Sequence, residues 1–132
     1  MASVAFTDAW GEVIQRPEHD TIEIRWFDST AAMSGDEFND WLSRFATEVE
    51  RAATSRVLVD GLAFAMPNDR MDSAWRDANI IPRYNAAGVN RFAFLMPEGM
   101  PAIGVPPRAE GPANYLTAYF GTRRSAMEWL TG

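Results

Sequence analysis

The fold is decided by one stretch of ten residues, Ser55-Arg56-Val57-Leu58-Val59-Asp60-Gly61-Leu62-Ala63-Phe64. At its centre, Val57, Leu58 and Val59 follow one another without the polar alternation of a half-exposed strand. A strand that is apolar on both faces has to be covered on both faces, which is typical of a central parallel strand in an α/β sheet. Helical patterns before and after the stretch support this prediction, because crossover helices join parallel neighbouring strands.

The same stretch predicts where a functional site would lie. In open α/β sheets, ligands tend to bind beyond the carboxyl ends of the strands. We therefore expect any site in the region from Asp60 to Asp69, directly after the central strand. Asp60 itself ends that strand, where a carboxylate can either act on a ligand or bond the amides of its own loop.

Length and composition exclude several classes of protein. The 132 residues are enough for one domain with a substantial core, and no apolar run approaches the roughly 20 residues of a membrane span. The amino terminus also lacks the basic start and apolar core of a signal peptide, so we expect a cytoplasmic protein. The net charge of −6 argues against nucleic-acid binding, because no basic face is left to neutralise phosphates.

The chain also lacks several catalytic and metal-binding side chains. It has no cysteine and a single histidine, His19, which excludes thiolate nucleophiles and histidine-based metal clusters. All twelve basic residues are arginine, which removes lysine chemistry as well. We predict no cofactor, no metal and no catalytic residue. A hydrolase or lyase that works through paired carboxylates is the remaining enzymatic alternative.

The residues before the central strand predict an antiparallel hairpin. Residues 10–16 and 21–27 have strand character and flank a turn at 17–20. The second strand alternates between apolar and charged residues, so we expect Glu23 on a solvent face at the edge of the sheet. Residues 1–9 show no clear period and are either a tail or a short edge strand.

A strongly amphipathic helix follows the hairpin. Ser34 and Glu37 have the spacing of a capping box, in which each side chain accepts a hydrogen bond from the other residue's backbone amide. Apolar residues then recur at helical spacing up to about Ala53. The aromatic residues on this face are more typical of a core than of a ligand wall.

A broken helix is predicted after the central strand. Asp69 and Asp72 are both placed to cap it, Pro82 interrupts it and Gly88 ends it. Its predicted apolar face consists of Met71, Ala74, Trp75 and Ala78.

Two further strands, at 91–96 and 115–120, are separated by an unusual segment, and Thr122 then caps a last helix. The segment 97–114 holds five of the eight prolines. A connection of this length without secondary structure often acts as a lid or binding loop, although an ordered surface loop is the alternative. Its apolar residues Met100, Ile103 and Val105 would suit a lid.

The predicted order is β-β-α-β-α-β-loop-β-α over residues 1–132, a single small α/β domain. We expect a mostly parallel central sheet, an N-terminal antiparallel hairpin and flanking helices. This order, with three local matches, resembles the SpoIIAA-like group of the STAS fold.

The three matches together span almost the whole chain. The first is the hairpin, acidic connection and capped helix of residues 12–52. The second, Ala74-Trp75-Arg76-Asp77 followed by Arg91-Phe92-Ala93-Phe94, is similar to the family's Trp-x-Asp helix and Arg-led strand. The third, Tyr119-Phe120 followed by Ala126-Met127-Glu128-Trp129-Leu130, is similar to the family's closing aromatic strand and Ala-x-x-Trp-Leu helix.

The resemblance implies a non-enzymatic module that binds a protein partner. STAS domains are often switched by phosphorylation of a Ser or Thr at the helix after the central strand. Residues 62–72 contain neither, and we expect Ser73 to lie about one turn inside the helix. We therefore predict no phosphate switch in residues 63–73. The related CRAL-TRIO fold carries apolar ligands between sheet and helices, which implies an alternative function.

Two functions follow as hypotheses. The first is a regulatory module that binds a protein partner through residues 63–75. The second is a carrier or sensor of a small apolar ligand held between the sheet, the second helix and the 97–114 loop. The binding residues that we predict are Asp60, Phe64, Met66, Asp69, Trp75 and Tyr84. Monomer and homodimer both remain open.

Overall fold

Six strands and four α-helices are present in residues 2–132, the part of the chain that the computed structural model describes. The strands are β1 (Ser3–Thr7), β2 (Gly11–Arg16), β3 (Thr21–Trp26), β4 (Arg56–Asp60), β5 (Arg91–Leu95) and β6 (Leu116–Phe120). The helices are α1 (Gly35–Ala52), α2 (Ser73–Asn79), α3 (Ile81–Ala87) and α4 (Arg123–Thr131). Over these residues, no helix has both the length and the apolar character that crossing a membrane requires.

All six strands form one mixed sheet in the order of the chain. The pairs β1–β2 and β2–β3 are antiparallel, and the strands from β3 to β6 run parallel. β4 lies between β3 and β5, with Val57 beside Ile22 on one side and Phe92 on the other. Val57, Leu58 and Val59 are all buried. The prediction of a central parallel strand in a small α/β domain is therefore confirmed.

Helices cover this sheet on both faces. Val57 and Val59 belong to the larger core, together with residues of α1 and α3 such as Phe45 and Tyr84. Leu58 points to the opposite face, where it clusters with residues of α4. The alternation of side chains along β4 thus requires both helical layers.

The predicted capping box of α1 is present. The Ser34 hydroxyl accepts a hydrogen bond from the Glu37 amide at 3.1 Å, and the Glu37 carboxylate accepts one from the Ser34 amide at 2.9 Å. The helix ends where predicted, at Ala53, which takes the left-handed conformation with φ 52°. The local signals at both ends of α1 therefore determine its length.

The helix after β4 is broken, as predicted, but Asp69 does not begin it. Asp72 accepts a hydrogen bond from the Trp75 amide at 3.0 Å and caps α2, whereas Asp69 lies in a short 3-10 turn upstream. The prediction that Asp69 stands at the helix start is wrong, because only Asp72 directly precedes the unpaired amides of the first turn. Pro82 lies in the first turn of α3, and Gly88 ends it with φ 88°.

The predicted apolar face of α2 is largely exposed. Met71, Ala74 and Ala78 face solvent, and Trp75 alone of that face packs partly against the core. The reason is that α2 contacts mainly α3 rather than the sheet.

Glu23 is fully buried, so its predicted solvent position is wrong. β1 pairs outside β2, and the hairpin is therefore not the edge of the sheet. Arg16 donates to Glu23 from Nε at 2.7 Å, and Arg123 of α4 donates from both terminal nitrogens at 3.0 and 2.7 Å. A carboxylate tolerates burial when it is paired in this way. Arg123 lies 100 residues further along the chain, so the alternation of β3 does not predict the pairing.

The 97–114 segment is a loop, as predicted, apart from an isolated bridge between Arg108 and Thr117. Ile103 and Val105 line a groove beside Trp129 of α4, while Ala113 joins the core on the α1 side. The loop therefore passes around the outer edge of β6. Ile103 and Val105 therefore lie away from the α1 side of the sheet, whereas Ala113 lies on it.

We predict that Ser34→Ala lowers the free energy of unfolding by about 1 kcal/mol, because the Glu37 amide loses its acceptor. Urea denaturation measures this as a lower midpoint at unchanged slope. Ser34→Thr keeps the hydroxyl and serves as the control. An unchanged midpoint in Ser34→Ala would show that the cap does not stabilise α1.

Candidate functional site

A cavity of about 140 Å³ lies between the sheet and the helices on the α1 side. Residues of β3, β4, β5 and β6 line one wall, and residues of α1, α2 and α3 line the other. Glu110, near the end of the 97–114 loop, also lines it. The cavity therefore lies beneath the helices rather than in the loop from Asp60 to Asp69.

Seven of the fourteen residues that line the cavity are aromatic. Phe94 stacks on Tyr119 with 5.1 Å between ring centroids, and Phe92 stacks on Tyr115 at 5.6 Å. Tyr84 of α3 lies 5.6 Å from Phe92. Trp26 and Phe38 complete the aromatic lining. Offset contacts of this kind hold rings in defined orientations, so the cavity has a shaped apolar wall.

Three hydroxyl groups in this wall have no hydrogen-bond partner among residues 2–132. They belong to Tyr84, Tyr115 and Thr117, whose exposed fractions are 4%, 6% and 4%. By contrast, the Tyr119 hydroxyl donates to Glu110 at 2.8 Å. Among residues 2–132, the side-chain polar atoms that are both fully buried and unpaired are Thr54 Oγ1 and Arg56 Nε. The three hydroxyls of the wall are not among them, so each opens onto the cavity, where water or a ligand can bond to it.

All three phenols of the cavity are kept protonated. Burial raises the pKa of Tyr84 and of Tyr115 well above the ordinary range. Burial, together with the hydrogen bond to Glu110, raises the pKa of Tyr119 to about 12. Near neutral pH these side chains are hydrogen-bond donors, not bases.

Two charged side chains lie at the more open part of the lining. The Arg76 side chain is about 45% exposed, and its nearest carboxylate is that of Asp77, at 3.9 Å. One oxygen of Glu110 accepts from Tyr119, and the other lies 3.7 Å from Nε of Arg108. Arg76 and Glu110 do not form an ion pair with each other within the described part of the chain, so both charges face the cavity separately.

Of the predicted binding residues, Tyr84 lines the cavity. Phe64 packs beside it, against Trp26 at 5.3 Å and Phe38 at 5.8 Å. Met66 is buried in the core, and Trp75 packs partly against the core. The three apolar residues predicted with Tyr84 therefore pack in or against the core and do not line the cavity.

Asp60 and Asp69 lie away from the cavity. Asp60 accepts from the Leu62 amide at 3.2 Å and from Arg123 at 3.0 Å, on the α4 side of the sheet. Asp69 is exposed in its turn. Ser73 is the exposed first residue of α2, not a residue one turn inside it. The prediction that residues 63–73 carry no phosphate switch assumed that Ser73 lies inside the helix, and this assumption is wrong.

Sequence reasoning missed five of the six polar side chains of the cavity: Arg76, Glu110, Tyr115, Thr117 and Tyr119. One signal was present, because Tyr115, Thr117 and Tyr119 alternate and so share one face of the last strand. The positions of Arg76 and Glu110 depend on how α2 and the 97–114 loop fold back onto that strand, which no local pattern shows.

Comparisons with protein-family models, with curated proteins and with solved structures found no match. The resemblance to SpoIIAA-like proteins therefore stays a prediction.

On the other face of the sheet, the pKa of Glu23 reflects two opposing effects. Burial would raise it, but the hydrogen bonds and charges of Arg123 and Arg16 outweigh burial and hold the pKa below its usual value. A carboxyl with a lowered pKa in the folded state stabilises the fold above its unfolded pKa. That stabilisation is lost as the pH falls through the folded pKa.

We predict that Glu23→Gln lowers the free energy of unfolding by about 2 kcal/mol at neutral pH, because two arginines lose a charged acceptor. Stability should then fall less than in wild type between about pH 7 and about pH 3. Chemical denaturation over a series of pH values measures both effects.

The matched control is Glu12→Gln, which removes a partly exposed pair with Arg25 at 3.3 Å. We expect it to cost less than about 1 kcal/mol. If Glu23→Gln kept the acid dependence of wild type, the ion cluster would not be its source.

Proposed function

We propose that the protein binds a small molecule in the cavity, as its carrier or sensor. The observation that carries this proposal is an aromatic cavity of about 140 Å³, onto which three hydroxyls open that have no hydrogen-bond partner within residues 2–132. Such hydroxyls can bond to water or to the polar group of a ligand. A ligand with an apolar body and at least one polar group would contact the aromatic rings of this wall and bond to its hydroxyls.

The size of the cavity limits the ligand to about one ring. An apolar cavity of about 150 Å³ accepts benzene, and the cavity here is slightly smaller. Water is the alternative content, since each molecule occupies about 30 Å³. Water satisfies hydroxyls but leaves the ring surfaces of Trp26, Phe38 and Phe94 wet, which loses about 25 cal/mol for each Å² of apolar surface.

The protonation states of the cavity favour binding over catalysis. A general base has to be deprotonated near the working pH, whereas the raised pKa values of Tyr84 and Tyr115 keep these phenols protonated. Glu110 is engaged by Tyr119. We therefore propose a binding protein rather than a carboxylate-based hydrolase or lyase.

A second candidate is a STAS-like module that binds a protein partner, or a second copy of the chain, through the segment between β4 and α2. Leu62 is 50% exposed there and Met71 is exposed nearby, and both are large apolar side chains. Partner surfaces are enriched in such residues. If Leu62→Ser and Met71→Ser left both self-association and the binding of a protein partner unchanged, this candidate would be excluded.

We predict that Tyr84→Phe leaves the free energy of unfolding unchanged or raises it, because the hydroxyl that it removes has no partner in the described chain. Tyr119→Phe is the matched control. It removes a hydroxyl that is bonded to Glu110, and we expect it to lower stability by about 1 kcal/mol. Urea denaturation of wild type and of the two variants measures the three free energies of unfolding.

The same variant tests binding, with benzyl alcohol as a neutral one-ring probe. Titration followed by amide chemical shifts should perturb the residues around the cavity in wild type, and Tyr84→Phe should bind several-fold more weakly. Absence of perturbation around the cavity up to the solubility limit of the probe would overturn the proposed function.

A further inference from the structure

Of the two charged side chains in the cavity lining, Arg76 has the larger number of hydrogen-bonding groups without a partner among residues 2–132. Its guanidinium carries five N–H donors. Its one ion pair among residues 2–132 is the contact with Asp77 at 3.9 Å, which is too long for a hydrogen bond. On the neighbouring helix, Arg83 donates to Glu50 at 3.1 and 2.6 Å. Arg76 thus faces the cavity without the partner that a structural arginine has.

Arg76 lines the same cavity as the phenols Tyr84, Tyr115 and Tyr119. Burial raises the pKa of Tyr84, of Tyr115 and of Tyr119, and the charge of Arg76 opposes this rise in all three. The unpaired Tyr84, Tyr115 and Thr117 hydroxyls and Arg76 therefore converge on one space. All four groups can donate hydrogen bonds; the three hydroxyls can also accept them, whereas the guanidinium of Arg76 can only donate.

Negatively charged acceptors are scarce in the same space. Glu110 is the carboxylate of the lining, and it already receives the Tyr119 proton and lies near Arg108. Asp77 sits outside the lining and contacts Arg76 loosely. The hydroxyls of the cavity can donate to an acceptor on a ligand, and the guanidinium of Arg76, which has only its long contact with Asp77, favours a negative charge on that acceptor.

We propose that the ligand of the cavity is a monocarboxylate with an apolar body of about one ring. The carboxylate would bind Arg76, whose planar fork matches its two oxygens, and the apolar body would lie among the aromatic rings. A single cation balances a single negative charge, which argues against a doubly charged phosphate ester. This inference rests on the proposed function, since it assigns the chemistry of the same cavity.

The test compares three probes of one size: benzoate, benzyl alcohol and benzylamine, each titrated into the wild-type protein at low salt and neutral pH. We expect benzoate to bind about tenfold more tightly than benzyl alcohol, as one charge-assisted hydrogen-bonded pair allows. Benzylamine should bind most weakly of the three, because its ammonium would face Arg76.

Arg76→Gln should remove the preference for benzoate over benzyl alcohol that we expect in wild type. Amide chemical shifts away from the cavity that match wild type would report that the variant is folded. Arg124→Gln is the matched control, because Arg124 is exposed on α4 and pairs with Glu128. We expect it to keep the preference for benzoate.

The other outcomes separate this inference from the proposed function. Equal binding of benzoate and benzyl alcohol in wild type would overturn the carboxylate and leave the cavity as a site for neutral ligands. Tighter binding of benzylamine would assign the charge recognition to Glu110 and also overturn the inference. Binding of none of the three probes would overturn the proposed function itself.

Discussion

Burial of β4 on both faces is the constraint on which the rest of the structure depends. Val57 and Val59 face one way and Leu58 the other, and all three are removed from water. A single helical layer would leave one of these sets exposed, so the chain has to supply helices on both sides. The crossovers that carry α1, α2 and α3 from strand to strand provide one layer, and α4 provides the other.

The two layers are incomplete in different ways. α4 has nine residues and covers the sheet around β4 to β6. Towards β2 and β3, the ion cluster of Glu23 with Arg16 and Arg123 takes the place of apolar packing. On the opposite face, α1 and the short pair α2–α3 leave the aromatic cavity between them. We infer that the first gap is structural, because its charges satisfy one another. The second is the cavity in which we propose that a ligand binds.

Local signals predicted most of the fold, and contacts between distant segments account for what they missed. The capping box at Ser34, the helix stop at Gly88 and the apolar run of β4 each act within a few residues, and all three are present. Glu23 was placed wrongly because its partner Arg123 is 100 residues away. Of the predicted site residues, Tyr84 alone is in the lining of the cavity. The prediction centred on the segment that follows β4, whereas the polar wall of the cavity comes largely from β6.

The most direct measurement is a crystal structure of the protein purified from its own host, at a resolution that shows ordered water. We expect density for an organic molecule of about one ring between the sheet and α1–α3. A polar atom of that molecule should lie within hydrogen-bond distance of the Tyr84 or Thr117 hydroxyl, with a carboxylate towards Arg76. A cavity that holds only water, or side chains that close it and bring the three hydroxyls onto protein acceptors, would contradict the proposed binding function.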